Sequence, residues 1–133
     1  MKILVTNDDG IDAPGLLVAK AIARELAGNE GQVTTIAPAT EQSGVGHSIS
    51  YIRPTLIEKR GKDEYLLEGS PADCVLAGLY YVLKNKKPDL ILSGVNKGQN
   101  VAEDVLYSGT VGAAMEGAFQ GVKSISLSQS YTK

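Results

Sequence analysis

Asp8 and Asp9 are the first residues in this sequence that could carry chemistry. They follow a short apolar run at 3–6 and lie between Asn7 and Gly10. Two adjacent carboxylates at the end of a buried strand repel each other unless positive charge stands beside them. A hard divalent cation, which prefers several oxygen ligands, is a natural remedy. A polar turn, with an aspartate capping the next helix, accounts for the same residues without any ligand.

Three further segments offer oxygen donors or anion-binding backbone. Ser43 stands in the stretch EQSGVGH at 41–47, where glycines could let amides approach an anion or a water; a plain surface loop is the alternative. His47, the one histidine, could protonate a leaving group or orient a ligand, although a structural hydrogen bond is the commoner role. Asn96, in SGVNKG at 93–98, could give a neutral oxygen ligand or simply hold a left-handed turn. Ser108, Gly109 and Thr110 sit where a loop enters a helix. Exposed amides and the positive helix end suit phosphate there, and an ordinary N-cap explains them equally well. In GSPADC at 69–74, Ser70 reads as a helix cap, and Asp73 could support the site or complement the helix dipole.

The elements that would have to position these residues are legible from periodicity. Residues 3–6, 32–37, 89–93 and 123–128 read as strands, the first and third as compact buried runs. Residues 49–58 and 64–68 read as two strands joined by a turn at 60–63. Helices are expected from Pro14 to a stop at Gly28, from Pro71 to about Asn85, and over 110–120. In the first, Leu16, Leu17, Ala19, Ile22, Ala23 and Leu26 fall at helical spacing. Residues 96–108 read as a polar connection. Cys74 reads as a buried inert thiol, and Tyr80 and Tyr81 as core and rim.

Alternating strands and helices predict an α/β domain: a Rossmann-like three-layer sandwich, its sheet mainly parallel, with a β-hairpin insertion. Right-handed crossovers bring the strand C-termini to one edge, where ligands of open sheets bind. Asp8, Asp9, the loop with Ser43, and Asn96 all follow expected strands, so they could converge there.

Composition narrows the classes. The chain has 133 residues, 43% hydrophobic and 21% charged, which suits one soluble domain spanning 1–133. With 13 basic and 15 acidic residues, net charge −2 and no basic stripe, nucleic acid is not an expected partner. A single cysteine excludes an internal disulfide framework. The N-terminus is too short and polar for a signal peptide and no apolar run approaches a membrane span, so no membrane partner and a cytoplasmic location are expected. No Gly-Lys-Ser/Thr follows either glycine pattern, so a P-loop ATPase is excluded. A serine hydrolase built on Ser43 or Ser108 with His47 would lack the Gly-x-Ser-x-Gly elbow.

Taken together, ILVTNDDG at 3–10, APATEQSGVGHSIS at 37–50, GSPADCV at 69–75, LILSGVNKGQN at 90–100 and YSGTVGAAMEGA at 107–118 resemble the SurE (survival protein E) family of metal-dependent nucleoside monophosphate phosphatases. The five motifs span nearly the whole chain. The resemblance implies that Asp8, Asp9, Ser43 and Asn96 ligate the metal, with Asp8 and Asp9 at the catalytic centre. It implies that Asn96, Ser108, Gly109 and Thr110 bind phosphate, with Asn7 and His47 in support. The residues themselves agree on one point, since an all-oxygen donor set suits Mg2+ or Mn2+ rather than zinc. The implied reaction is hydrolysis of phosphate monoesters, chiefly nucleoside 5′-monophosphates, with 3′-monophosphates also admitted, by attack of water or of an aspartate. A homodimer or homotetramer is implied for the full-length form. Family members are longer, so this chain is expected to be an N-terminal metal- and phosphate-binding domain lacking the C-terminal part of the fold. A catalytically silent nucleotide-binding or assembly module is the alternative.

Overall fold

A computed structural model describes residues 1–84 and 86–130. Strands β1 (Lys2–Thr6), β2 (Gln32–Pro38), β3 (Ile57–Gly61), β4 (Glu64–Leu67), β5 (Leu90–Lys97) and β6 (Ser124–Gln129) form one six-stranded sheet in the order β3-β4-β2-β1-β5-β6. Every neighbouring pair is parallel except β3 with β4. The chain moves from β1 to β2 on one side and later returns to lay β5 on the other. The strand order therefore reverses between β1 and β5, where open sheets of this kind bind ligands.

Helices cover both faces, giving the expected three layers. Helix α1 (Pro14–Ala27) starts with proline in its first turn and ends at Gly28, whose N–H reaches the Arg24 carbonyl. Leu16, Ala19, Ala23 and Ala27 of α1 pack against Ile3, Val5, Leu90 and Leu92 on one face of the sheet. On the other face, Cys74 and Val75 of α2 (Pro71–Leu76) and Ala113 of α4 (Gly109–Phe119) pack on Leu4, Ile36, Leu67 and Ile91. β1 and β5 are buried on both faces, which is why they read as continuous apolar runs rather than as alternating ones.

Several expectations are corrected. The strand expected over 49–58 begins only at Ile57. Tyr51, Ile52 and Leu56 are exposed there, and Ser50 is held by Asp73 through its amide (2.9 Å) and hydroxyl (2.7 Å), which spends on a side chain the bonds a ladder would need. The expected hairpin, β3 with β4, is present, and its β4 pairs parallel with β2 and extends the main sheet. The helix expected from Pro71 is α-helical only to Leu76, then widens into a π-helical turn, Ala77–Val82, with Leu83 N–H bonded to Gly78 O at 2.8 Å. Its expected end at Asn85 lies outside the described residues. Tyr80 and Tyr81 both face solvent, as do Leu17 and Leu26. The connection over 96–108 contains part of β5 and one helical turn, α3 (Asp104–Tyr107).

Candidate metal and phosphate site

Because β1, β2 and β5 run parallel, the loops that follow them leave the sheet at one edge. Asp8 and Asp9 come immediately after β1, and Ser43 lies in the loop after β2. Asn96 is the penultimate residue of β5, just past a register shift between Ser93 and Asn96. A cleft of about 360 Å3 is lined by Asp8, Asp9, Ser43, Asn96 and Ser108 together. All four expected metal ligands and two of the four expected phosphate residues, Asn96 and Ser108, therefore meet in one hollow.

Local bonds set each donor. Asn7 is fully buried and closes the turn below the carboxylates: its Nδ2 donates to the Gly10 carbonyl at 2.8 Å, and its Oδ1 accepts from Gly10 N–H at 3.3 Å. Asp8 is buried, and its Oδ1 accepts a 2.7 Å bond from the Thr110 hydroxyl. Asp9 Oδ2 accepts from the Lys97 amide at 2.9 Å, tying β1 to the end of β5. Ser43 donates its proton to Glu41 Oε1 at 2.7 Å, so the lone pairs of its Oγ stay free for a cation. Asn96 spends its Nδ2 on the Gly98 carbonyl at 2.8 Å, leaving Oδ1 as its uncommitted donor.

Burial raises the Asp8 pKa above its ordinary value; the Thr110 hydrogen bond opposes that shift, and the Asp9 charge adds to it. An apposed carboxylate pair of this kind is short of positive charge. Among the described residues, no group of three or more His, Cys, Asp or Glu side chains could hold a metal. Any cation here would be held by two carboxylates supplemented by neutral oxygens, a set that fits a hard ion such as Mg2+ or Mn2+.

The phosphate turn is deeper than expected. Ser108 caps α4, its Oγ accepting from Val111 N–H at 3.2 Å while its proton stays available to a ligand. Gly109 and Thr110 are buried behind it, and the Thr110 hydroxyl is directed at Asp8 rather than into the cleft. The positive end of α4 is thus aimed at the carboxylates. An added Cβ on Gly109 would lie 2.9 Å from Asp8 Cβ and 3.0 Å from Pro71 Cγ, so only glycine lets α4 come this close.

His47 does not line the cleft. Its Nε2 sits 2.5 Å from Glu116 Oε2, and its ring packs 5.4 Å from that of Phe119. It pins the Ser43 loop to α4. The same loop is tied down by Gln42 N–H to Asp8 O (2.7 Å), Gly46 N–H to Tyr107 O (2.9 Å), and Ser70 Oγ to Ser48 O (2.6 Å). Ser70 caps α2, as its position suggested, and Asp73 completes a reciprocal capping box with it. Asp73 also holds Ser50, which sequence spacing did not indicate. Glu41 and Lys97, both lining the cleft, were missed as well, although each stands within two residues of an expected ligand.

Comparison with known proteins bears on this arrangement. The family model described as Survival protein SurE matches residues 3–133. A 5′-nucleotidase SurE of Roseobacter denitrificans is 62% identical over 98% of this chain and 50% of its own length. One of Jannaschia sp. is 65% identical over 98% and 50%. The crystal structure of the SurE protein from Aquifex aeolicus, 42% identical, superposes with a TM-score of 0.90 over 100% of this chain and 52% of that one. The chain thus spans about half the length of the relatives it matches. Among the described residues, no helix is long and apolar enough to cross a membrane. With the family model covering nearly every residue and the same fold at this identity, the chain belongs to the SurE family.

Proposed function

We propose that this chain forms the metal- and phosphate-binding part of a phosphatase that hydrolyses nucleoside 5′-monophosphates, with 3′-monophosphates as secondary substrates. The observation that carries this reading is the single cleft in which Asp8, Asp9, Ser43, Asn96 and Ser108, drawn from four separate segments, face one another. The 5′-nucleotidase activity in the names of its relatives supports the substrate class.

Asp8, Asp9, Ser43 and Asn96 would hold a Mg2+ or Mn2+ ion. When bound, such an ion neutralises charge on the phosphoryl group and favours ionisation of water. Ser108 donates its hydroxyl proton to a phosphoryl oxygen, and the positive end of α4 stabilises the charge that redistributes as the ester bond breaks. Thr110 keeps the Asp8 carboxylate aimed, and the Lys97 amide does the same for Asp9. Residence in the cytoplasm and assembly as a homodimer or homotetramer accompany this reading.

The test is phosphate release from AMP by the protein expressed from its complete gene. Mn2+ should support turnover, while EDTA or Asp8→Asn should abolish it. Unchanged activity after either treatment overturns the assignment. Nucleotide binding with no turnover under any divalent metal would instead identify a silent binding module.

A further inference from the structure

Further along α4 from Thr110, a second side chain reaches towards the metal loops. Glu116 is buried in this helix, and both of its carboxylate oxygens are engaged. Its Oε2 stands 2.5 Å from His47 Nε2, and its Oε1 accepts a 2.8 Å bond from Gln120 Nε2. Gln120 accepts in turn from the Tyr80 hydroxyl, so the carboxylate is held from two sides. An ionised carboxylate only accepts, so the pair with His47 requires a proton on Nε2. Among the described residues, His47 is the one basic side chain in ion-pair contact with Glu116. A buried charge without a partner is costly, so the two side chains hold each other.

His47 closes the loop that carries Ser43. Within that loop Gly44 (φ +74°) and Gly46 (φ +55°) adopt left-handed backbone, and a Cβ added to Gly44 would meet nothing within 4 Å. Ser43 is exposed, and its hydroxyl is bonded to Glu41, which is exposed too. The place of Ser43 is therefore set from the flanks of the loop rather than from its tip. On one flank, Gln42 N–H bonds Asp8 O at 2.7 Å. On the other, beside the 2.9 Å bond from Gly46 N–H to Tyr107 O, the backbone lies directly on α4. A Cβ added to Gly112 would stand 2.3 Å from Gly46 O and 2.9 Å from His47 Cα. Gly112 and Glu116 lie one turn apart on the same helix face: the first lets the loop come close, and the second fastens it.

We infer that Glu116 is a positioning residue for the metal site, acting through His47 to hold the loop where Ser43 Oγ faces the cation. The inference rests on the metal reading above and adds a residue outside the cleft, since Glu116 does not line it. Helix α4 then supports two ligands that arrive on different loops. Thr110 fixes Asp8 after β1, and Glu116 fixes the Ser43 segment after β2. The role is one of geometry and not of charge at the ion, so an uncharged acceptor at position 116 serves as well.

Mn2+ affinity of the protein expressed from its complete gene, measured by calorimetry, gives the test. Glu116→Leu, which fills the space without an acceptor, should weaken binding about tenfold or more, the loss typical of partners that orient metal ligands. Glu116→Gln, which keeps an acceptor for His47, should restore most of it. His47→Phe, which keeps a ring beside Phe119 and removes the donor, should lose about as much as Glu116→Leu. Combining Glu116→Leu with His47→Phe should cost no more than the larger single loss, because both break one link. Wild-type affinity in folded Glu116→Leu protein overturns the inference, as does an equal loss in Glu116→Gln or an additive loss in the double variant. Where Glu116→Leu does not fold, His47→Phe decides: weakened binding upholds the inference and wild-type affinity overturns it. Wild-type protein that binds no Mn2+ counts instead against the metal reading.

Discussion

The hydroxyl of Thr110 donates a 2.7 Å hydrogen bond to Asp8 Oδ1, joining residues 102 positions apart in the sequence. One bond thus couples the start of α4, where phosphate would bind, to a carboxylate that would hold the metal. Partners that orient metal ligands are typically worth about 10- to 100-fold in metal affinity or activity. Thr110→Val, which keeps the shape and removes the donor, should cost about that much in Mn2+ affinity, measured by calorimetry. Thr110→Ser should restore most of it. Wild-type affinity in the valine variant would show that Asp8 needs no such partner.

Gly109 makes the same junction sterically. A methyl group there meets Asp8 Cβ at 2.9 Å, Pro71 Cγ at 3.0 Å and Val45 Cγ2 at 3.2 Å, so α4 or the Asp8 turn has to move. Displacements of this order cost about 100-fold in rate when they separate groups that act together. Gly109→Ala should therefore lower kcat for AMP by roughly that factor while circular dichroism stays native. Full activity would mean that the helix start can shift without consequence.

Asp8 should also reveal itself through pH. Its folded-state pKa lies above the ordinary value of 3.8, chiefly through burial, so the metal-free folded state binds its proton more tightly than the unfolded chain does. This group's contribution to stability is present in full below 3.8 and is lost as pH rises through the folded pKa. Asp8→Asn, which abolishes that titration, should raise the melting temperature of metal-free protein at pH 7 relative to wild type, with the gap closing towards acid pH. Added Mn2+ should reverse the order by stabilising only the wild type. A lower melting temperature for the metal-free variant would contradict the sign of the shift.

Cys74 is fully buried among the apolar residues between α2 and the sheet, and burial pushes its thiol pKa up. Thiolate is the reactive form, so a disulfide reagent should label native protein negligibly and unfolded protein at once. Rapid labelling of the native state would place this helix face in solvent.

Much of this was readable from residues whose surroundings are local. The strand before Asp8, the start of α1 at Pro14, its stop at Gly28 and the cap at Ser70 each depend on neighbours a few positions away. Each stands as the spacing indicated. The convergence of Asp8, Asp9, Ser43 and Asn96 was legible because parallel crossovers return the C-termini of β1, β2 and β5 to one edge. Other features depend on long-range partners. Apolar spacing in α1 did not reveal that Leu17 and Leu26 face outward, since periodicity finds a stripe without saying how wide the covered part is. Asp73 removes residues 49–56 from the sheet by binding Ser50 from another element. Thr110 looked like a phosphate ligand by its place at a helix start, and only the fold turns its hydroxyl towards Asp8.

The most direct test of the account is a crystal of the protein expressed from its complete gene, grown with manganese and measured at the manganese absorption edge. One strong anomalous peak should lie within coordination distance of oxygens from Asp8, Asp9, Ser43 and Asn96. A cleft without a peak at saturating manganese, or a peak bound by other residues, would contradict the claim that these loops meet around one hard cation.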